Sequence, residues 1–375
     1  MRPHQRALGI TRVARQTGLD RLGIACYAAI RPNAATLAVN QGKGIDDASA
    51  EASAIMEAAE YAIAERAELT VQRLSIDEIS ASGRRYLDPA PLLPAAAPLA
   101  PHLVIGWVAG EDLLTGTAVL VPRDAVMIGG LAPDLPLICR STNGLASGNC
   151  EDEAVFHALS ELVERDAASL WAFKSDTAMR GSAVAASTFA DIEVHRLVER
   201  IQASGFRVNL FDQTTDLGLP AILAVIVAAA ERPALHFDIA TGAGCHPIAA
   251  IAAIRAITEA AQTRISNIAG GRDDFEPSEY RQVVHPSVVQ LARPMRAERR
   301  GPAGESRDTN LPRLLAVVKA AIAAQIPGPV VLVRLGGEAF GISVVRLFAP
   351  GLEDRLGNRN WRPGPRAAAA MLRFW

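Results

Sequence analysis

Residues 141–166 read STNGLASGNCEDEAVFHALSELVERD, a glycine-rich turn that leads into a helix with one acidic face. At about 100° per residue, an arc of about 80° holds four polar side chains: Glu153, His157, Glu161 and Glu164. The opposite face is apolar and suited to a core, and it consists of Ala154, Val155, Phe156, Ala158, Leu159, Leu162 and Val163. No lysine interrupts the acidic face, and the nearby cation is Arg165. Since like charges on one helix face repel, the pattern indicates either a bound cation or a plain solvated face.

A second segment, residues 31–67, repeats this design with the sequence RPNAATLAVNQGKGIDDASAEASAIMEAAEYAIAERA. Its short apolar start predicts a strand over Thr36 to Val39. The glycines of residues 41–44 predict a turn, and Asp46 or Asp47 predicts the N-cap of a following helix. On that helix one face carries a small hydroxyl and two acids, namely Ser53, Glu57 and Glu60.

Five carboxylates on these two helices form the candidate metal site: Glu57, Glu60, Glu153, Glu161 and Glu164. Pooled by themselves they would repel one another strongly. The arrangement becomes favourable if the helices surround more than one divalent metal that carries a polyphosphate. Mg²⁺, which prefers hard oxygen ligands, is the leading candidate.

Both segments resemble the signature blocks of the YcaO family. Residues 242–275 (GAGCHPIAAIAAIRAITEAAQTRISNIAGGRDDF) resemble that family's later block, and residues 10–33 resemble the N-terminal block of members found beside a TfuA protein. The resemblance implies an α/β fold in which mixed β-sheets are covered by helices, with the ATP site between the glutamate-bearing helices. It also implies one domain over residues 1–375, with signature blocks at 31–67, 141–171 and 242–275.

What the resemblance implies is an enzyme that binds Mg²⁺ and ATP without a Walker P-loop, and this chain has no GxxxxGK[ST] motif. Family members activate a backbone amide oxygen of a peptide or protein by phosphorylation. Attack by a neighbouring Cys, Ser or Thr then gives an azoline ring, whereas sulfide supplied with TfuA gives a thioamide. The implied partners are a TfuA-like protein, a precursor peptide or protein, ATP, and a second copy of the chain in a homodimer.

Carried over residue by residue, the resemblance assigns the five glutamates to Mg²⁺, directly or through water. Ser53 and Asn149 become hydrogen-bond partners of the nucleotide or the metal shell. Arg165, with a guanidinium shaped for bidentate phosphate contact, becomes the triphosphate clamp. The predicted catalytic residues are Arg165, Arg255 and Glu161.

In the third block, Arg255 shares one helical face with Glu259 and Gln262, so it is the phosphate candidate there. Arg264 lies roughly opposite and is equally well explained as a structural ion-pair partner. Lys43, between two glycines, either reaches a phosphate as a mobile cation or belongs to a flexible turn.

Three further residues have a structural explanation that we favour over a chemical one. His157 is expected to pair with a neighbouring glutamate, and His246, before Pro247, is expected to cap a turn. Cys150 stands beside Asn149 at the start of the acidic helix, where small residues are common, so a sulfur-carrying thiol is the less favoured interpretation.

Composition limits the classes of function. The chain of 375 residues has 38 Lys and Arg against 40 Asp and Glu, and the net charge of −2 gives no electrostatic case for nucleic acid binding. Its four cysteines form no CxxC pair or zinc spacing, and with the absence of a signal-peptide pattern they predict a cytoplasmic location. No run of about 18 or more apolar residues predicts a membrane span.

Outside the blocks, residues 221–230 (AILAVIVAAA) predict a buried strand that runs towards a turn at 231–233, and residues 328–350 predict two more strands. The Pro- and Ala-rich residues 88–101 predict a loop without helix or strand. The basic residues 292–312 predict an exposed segment.

The tail, residues 351–375, contains Arg362-Pro363-Gly364-Pro365-Arg366, where many azoline-forming relatives carry PxPxP. This departure, together with the N-terminal block, favours thioamide formation. An azoline-forming cyclodehydratase is one alternative. An ATP-binding accessory protein for another sulfur-transfer enzyme is the other, although such a protein has no reason to retain five repelling acids.

Overall fold

A computed structural model describes residues 2–129, 132–230, 235–271, 276–297, 299–302 and 308–373. Four sequence predictions fall wholly or partly outside the described residues: the turn at 231–233, the acidic end of the third block at 272–275, part of the basic segment 292–312, and the last two residues of the tail 351–375.

The fold is α/β, as predicted, and within the described residues it contains fourteen strands and ten α-helices. The strands are β1 (Arg12–Arg15), β2 (Ala25–Ile30), β3 (Val39–Gly44), β4 (Gln72–Leu74), β5 (Arg85–Tyr86), β6 (Ile105–Asp112), β7 (Ala118–Pro122), β8 (Leu145–Gly148), β9 (Ala183–Val184), β10 (Phe206–Asp212), β11 (Ala221–Ala228), β12 (Ile239–Cys245), β13 (Val331–Gly336) and β14 (Ser343–Phe348). The helices are α1 (Asp47–Glu65), α2 (Ile76–Ala81), α3 (Arg123–Val126), α4 (Glu151–Trp171), α5 (Asp176–Gly181), α6 (Ile192–Ala203), α7 (Ala249–Ala269), α8 (Pro286–Ala292), α9 (Leu311–Gln325) and α10 (Pro365–Arg373).

The chain divides into two compact units, and the first contains the described parts of residues 1–59 and 171–309. It has an antiparallel sheet of order β1-β2-β3 and a second antiparallel sheet of order β12-β11-β10-β9. Helix α7 packs on β11 and β12 and also contacts β2 and β3. The alanines of α7 are buried in this core, Ala252, Ala253 and Ala256 to 0% exposure.

The predicted turn at residues 41–44 is wrong, and so is the strand predicted over Thr36 to Val39. The strand begins at Val39 and continues through both glycines to Gly44, with Gln41 opposite Ala28 in β2. Gly42 and Gly44 are required by a close approach, because a Cβ at either position would overlap the first turns of α1. Asp46 caps α1 by accepting from Ser49 N at 2.8 Å, which confirms one of the two predicted N-caps.

The second unit contains the described parts of residues 60–170 and 310–373. Its seven strands form one sheet of order β5-β7-β6-β13-β14-β8, with β4 paired to β6. Only the β5–β7 pair of this sheet is parallel, so among the described sheets this is the mixed one. One face of this sheet carries a core in which Trp107 on β6, with 0% exposure, packs with Ile79 and Ile138.

The acidic helix of the sequence is α4, and its predicted apolar face is buried. Ala154, Ala158 and Leu159 are 0% exposed, and the remaining predicted members of that face are at most 6% exposed. The helix therefore packs as its pattern predicts, with its carboxylate face left to other partners.

The predicted strands at 221–230 and 328–350 are confirmed as β11, β13 and β14. The loop 88–101 contains one 3₁₀ turn, Ala90–Leu92, which corrects the prediction of a segment without any helix. In the tail, α10 occupies Pro365–Arg373. Among the described residues, no helix combines the length and the apolar composition that a membrane crossing needs.

Candidate active site

Strand β8 and its flanking residues hold three of the predicted metal ligands. Gly144 N–H donates to Glu161 Oε2 at 3.1 Å. Ser147 Oγ donates to Glu60 Oε2 at 3.0 Å. The backbone N–H and the side-chain amide of Asn149 both donate to Glu153 Oε2 at 3.0 Å. One short segment thus orients acids from both predicted helices. The metal-shell role of Asn149 stays a prediction.

The approach of β8 to α4 depends on Gly148. A Cβ at this position would lie 2.5 Å from Ala154 N and 2.8 Å from the Glu153 Cβ, closer than side-chain carbons pack. The missing side chain lets the strand end run directly onto the first turn of the acidic helix. The glycine in the sequence therefore sets the distance between the Asn149 amide and Glu153.

Arg165 and Glu164 follow on the same helix. Arg165 Nη2 donates to Glu161 Oε1 at 3.3 Å, so the predicted phosphate clamp lies beside a predicted metal ligand. Glu164 is 6% exposed. His157 Nδ1 donates to the Ser147 carbonyl at 3.2 Å. The expected pairing of His157 with a glutamate stays a prediction.

In the first unit, Lys43 is held on a strand. Its Nζ pairs with Glu259 on α7, which also accepts from Ala243 N at 3.5 Å. A second side-chain bond joins the same strand and helix, from Ser266 Oγ on α7 to Gln41 Oε1 on β3. Because Lys43 belongs to β3, the flexible-turn explanation of this residue is wrong, whereas its phosphate role stays a prediction.

The two arginines of α7 have different surroundings. Arg264 Nε pairs with Asp20 at 3.2 Å and stacks over Phe206 with its Cζ 4.6 Å from the ring centroid. It is therefore a structural ion-pair partner. The buried Nε of Arg255, by contrast, has no hydrogen-bond partner among the described residues. A buried donor without a partner carries a desolvation cost that a bound anion would remove.

The remaining predicted residues are placed as follows. Ser53 and Glu57 are half-buried on α1, with Glu57 one turn before Glu60. His246 Nδ1 accepts from Ile248 N at 2.9 Å, which confirms the predicted turn cap. All four cysteines are free thiols, and burial raises the pKa of Cys26 to about 12. Cys150 is exposed at the start of α4.

Sequence reasoning missed Ser147, Arg346 and the role of Glu259 as the partner of Lys43. Ser147 lies in a buried strand and gives no periodic signal. Arg346 is 2% exposed on β14, and its Nη2 donates to the Ser141 carbonyl at 2.5 Å. An arginine in the middle of the apolar run SVVRLF was the one available sign that it has a special role.

The donor set fits Mg²⁺ with ATP. Within the residues that the structure describes, no group of three or more His, Cys, Asp or Glu side chains converges as a ready-made metal cage. Mg²⁺ does not require one, because it keeps several waters and is usually held by one or two carboxylates together with substrate phosphates. In the second unit, the half-buried carboxylates of Glu60, Glu153 and Glu161 are oxygen donors of that kind. In the first unit, the partnerless Nε of Arg255 is a donor of the kind that a phosphate accepts from.

The fold and the site define an α/β protein with carboxylate-bearing helices, suited to a nucleotide and a hard divalent cation. The profile described as "YcaO cyclodehydratase, ATP-ad Mg2+-binding" matches residues 41–353. This chain belongs to the YcaO family, whose members are ATP-dependent amide-activating enzymes, and Mg²⁺ with ATP as co-substrate is confirmed at the level of the family.

Curated relatives agree with this membership. The chain is 38% identical to a protein of Rhizobium leguminosarum bv. trifolii named for its position in the tfuA 3′ region, over 98% of this chain and 89% of that protein. It is 39% identical to a protein of Methanothermobacter thermautotrophicus over 73% of this chain and 70% of the relative.

Solved structures show the same fold. YcaO from Methanopyrus kandleri, bound with AMPPCP and Mg²⁺, superposes with a TM-score of 0.73 at 24% identity, over 97% of this chain and 93% of that one. A heterocyclase in complex with substrate and cofactor gives a TM-score of 0.74 at 20% identity over 92% of this chain. The chain spans only half the length of that heterocyclase.

Proposed function

We propose that this protein uses ATP to convert a backbone amide of a peptide or protein into a thioamide, with sulfide as the nucleophile and a TfuA-like protein as partner. The observation that carries the proposal is the 38% identity, over 98% of the chain, to a protein encoded in a tfuA 3′ region. Family membership supplies the ATP-dependent activation of an amide.

The proposed reaction balances in two steps. The amide oxygen attacks the γ-phosphorus of ATP, the bond to the bridging oxygen of ADP breaks, and the amide oxygen carries the phosphoryl group. Sulfide then attacks the amide carbon, and phosphate leaves with the former amide oxygen. Loss of the sulfur-bound proton gives the thioamide. An amide oxygen is a poor leaving group, and its attachment to phosphate removes that obstacle.

The chain's own residues position the reactants and compensate their charge. Bound Mg²⁺ would neutralise the phosphate oxygens, and the residues that would hold it are Glu57, Glu60, Glu153, Glu161 and Glu164. Arg165 and Arg255 are proposed to bind the triphosphate, with Lys43 as a further cation. Ser53 and Asn149 are proposed to donate to the nucleotide or the metal shell, as Asn149 already does to Glu153.

The sequence of the tail also supports thioamide formation. Residues 362–366 read RPGPR instead of the PxPxP expected of azoline-forming relatives. In the structure this stretch bends back, and Gly364 N donates to Glu353 Oε2 at 3.2 Å. It leads into α10, in contrast to a free proline-rich end.

Azoline formation is the second candidate. The family description names a cyclodehydratase, and the heterocyclase and microcin synthetase structures share the fold. In this reaction the nucleophile would be a Cys, Ser or Thr side chain of the substrate, and one water would be lost for each ring.

Intact-mass spectrometry separates the two. A candidate precursor peptide encoded beside the gene would be incubated with the protein, Mg·ATP and sulfide, with and without the neighbouring TfuA-like protein. The mass gain of one oxygen-for-sulfur exchange is expected. The mass loss of one water would instead establish azoline formation. A third outcome is that ATP is turned over with TfuA present but no tested peptide changes in mass. That result would contradict thioamide formation on those peptides.

The accessory alternative and the homodimer have separate tests. An accessory protein would keep its effect on its partner when Glu161 is replaced by glutamine, whereas an enzyme would lose ATP turnover. The homodimer inferred from the resemblance stays a prediction, and sedimentation equilibrium of the purified chain measures it directly.

A further inference from the structure

Lys43 lies on the face of β3 that is turned away from α1. Side chains of a strand alternate between its two faces, and the glycines on either side of Lys43 lie against the first turns of α1. A Cβ on Gly42 would overlap Ala54 N, and one on Gly44 would lie 2.6 Å from Ala50 N. This packing holds the backbone of β3 in place, so a change in the position of the ammonium comes from the flexible four-carbon side chain of Lys43.

Two side-chain contacts join this face of β3 to α7, one charged and one neutral. The Nζ of Lys43 pairs with Glu259, and Ser266 Oγ donates to Gln41 Oε1. The side chains of Lys43 and Glu259 are 23% and 29% exposed, whereas Gln41 and Ser266 are buried. The neutral contact therefore belongs to the core between strand and helix, while the charged contact can be reached by solvent and by a ligand.

Glu259 is also held by a second strand. The backbone N–H of Ala243 on β12 donates to Glu259 Oε1 at 3.5 Å, a long hydrogen bond, whereas Lys43 contacts Oε2. The close approach of β12 to α7 depends on the residue before Ala243, since a Cβ on Gly242 would lie 2.7 Å from the carbonyl carbon of Glu259. The two oxygens of this carboxylate thus have separate partners, and the contact with Ala243 does not depend on the presence of Lys43.

Glu259 supplies the negative charge beside Lys43. Cys26 stands opposite Lys43 in β2, but burial raises the pKa of its thiol to about 12, so the thiol is neutral at neutral pH. Arg255 lies one helical turn before Glu259 on α7 and adds a second cation. The two cations attract a phosphate, while the carboxylate of Glu259 repels it. A phosphate that binds Lys43 must therefore compete with Glu259.

We propose that Glu259 is a displaceable counter-ion of Lys43, which holds the ammonium while the nucleotide site is empty and releases it to a phosphate oxygen when ATP binds. A partly exposed ion pair stabilises a folded protein only weakly, so the loss of this pair opposes the exchange little. The phosphate offers the ammonium a charge-assisted hydrogen bond in return. The inference deepens the proposed function, and it rests on the phosphate role proposed there for Lys43.

The exchange gives Glu259 an effect of definite sign on nucleotide binding. Part of the attraction between Lys43 and the phosphate replaces the attraction between Lys43 and Glu259, and the carboxylate then remains near a bound anion. Removal of the carboxylate is therefore expected to strengthen nucleotide binding. A glutamate that only joined α7 to β3 would predict no change or weaker binding, because its loss would loosen the strand that carries Lys43. Glu259 acts through Lys43 and is a positioning residue.

Calorimetric titration of the full-length protein with AMPPCP and Mg²⁺ tests this sign without any catalysis. Glu259→Gln is expected to lower the Kd for AMPPCP severalfold, and Lys43→Met is expected to raise it about tenfold. Ser266→Ala is the matched control, because it breaks the neutral contact between the same strand and helix, and its Kd is expected to stay within about twofold of wild type. An unchanged or higher Kd for Glu259→Gln overturns the inference. An equal fall of the Kd in Ser266→Ala also overturns it, because the cause would then be a looser interface.

A double-mutant cycle shows whether Glu259 acts through Lys43. In the Lys43→Met background, Glu259→Gln is expected to change the Kd for AMPPCP much less than it does alone, because no ammonium is left to be released. The same effect in both backgrounds overturns the inference, since the carboxylate would then act on the nucleotide by repulsion alone. Glu259→Asp keeps the charge and withdraws it from Lys43, so it serves if Glu259→Gln fails to fold. A lower Kd is expected for Glu259→Asp, and an unchanged or higher one overturns the inference.

These measurements separate the inference from the proposed function, because neither peptide nor sulfide is present in the titration. No binding of AMPPCP by wild type would overturn both. The expected pattern of Kd values, combined with an azoline product or with no product from the precursor peptide, would count against thioamide formation alone.

Discussion

The hydroxyl of Ser147 donates to Glu60 Oε2 at 3.0 Å and joins two positions 87 residues apart in the chain. The bond links β8, the strand that leads into α4, to α1, which carries Glu60. Because Ser147 is 8% exposed, water does not compete freely for the carboxylate. The serine is therefore proposed to position Glu60.

Ser147→Ala tests this positioning role. Loss of one hydrogen bond to a charged group is expected to lower the free energy of unfolding by about 1.5–3 kcal/mol. The Mg²⁺ concentration for half-maximal ATP hydrolysis is expected to rise. Ser160→Ala is the matched control, because Ser160 is also buried, on α4, and its hydroxyl has no hydrogen-bond partner within the described structure. A Ser147→Ala enzyme with an unchanged Mg²⁺ requirement would contradict the role.

Glu161→Gln is expected to abolish ATP turnover and product. The amide oxygen of glutamine can still accept from Gly144 N, so the thermal midpoint should change little. The loss should exceed the roughly 10–100-fold that is typical of substitutions beside a metal ligand. Asp152→Asn on an exposed position of α4 is the control, and steady-state phosphate release is the measurement. Retained turnover in Glu161→Gln would count against its assignment.

Arg255 and Arg264 form a matched pair on α7. Arg255→Lys keeps the charge and loses the planar fork, so the KM for ATP is expected to rise about tenfold with little change in thermal stability. Arg264→Lys is expected to lower the thermal stability and to leave the KM for ATP nearly unchanged, since Arg264 contacts Asp20 and Phe206. Denaturation and ATP kinetics on both variants check the contrast, and equal effects on KM would refute it.

Gly244→Ala is expected to destabilise the first unit by about 1–3 kcal/mol or more. A Cβ on Gly244 would overlap the Ala252 carbonyl of α7, a backbone atom that cannot rotate away. Gly181→Ala is the control, because a Cβ there meets nothing within 4 Å. Urea denaturation of both variants measures the difference, and equal midpoints would show that α7 can shift away from β12.

The ion pair of Glu151 with Arg334 predicts a pH dependence. Hydrogen bonds from Arg334 lower the pKa of Glu151 below its ordinary range, and both side chains are partly exposed. The resulting stabilisation is small. It is fully present above the unfolded-state pKa of about 4.3 and is lost as the pH falls through the lower folded-state value. Thermal midpoints of wild type and Glu151→Gln should differ at neutral pH and converge in acid; a constant difference would exclude the linkage.

The sequence predicts the elements that bury a periodic face. Helix α4 follows its pattern closely, because the apolar and acidic positions separate at helical spacing. Strand β3 does not, since its glycines signal a turn when read locally and are in fact required by the approach of α1 to the strand. Gly44 meets Ser49 and Ala50, and Gly42 meets Ala50 and Ala54, so the requirement comes from packing against the next helix and not from the turn propensity of the glycines themselves.

The candidate site follows the same division. The carboxylates were identifiable from their spacing, and Asn149 from the resemblance. The groups that hold these side chains were not identifiable. They are the Gly144 N–H, the Ser147 hydroxyl and the Ser147 carbonyl, and they lie on or next to β8, whose position is set by its pairing with β14. Arg346 is marked in the sequence by its place in the apolar run SVVRLF, but that run does not show what the side chain contacts.

The carboxylate of Glu353 accepts from Trp361 Nε1, Gly364 N and Ala367 N. During synthesis on the ribosome these three donors emerge after β14. Glu353 therefore gains these three partners only after every strand of the described structure and the acidic helix have been synthesised.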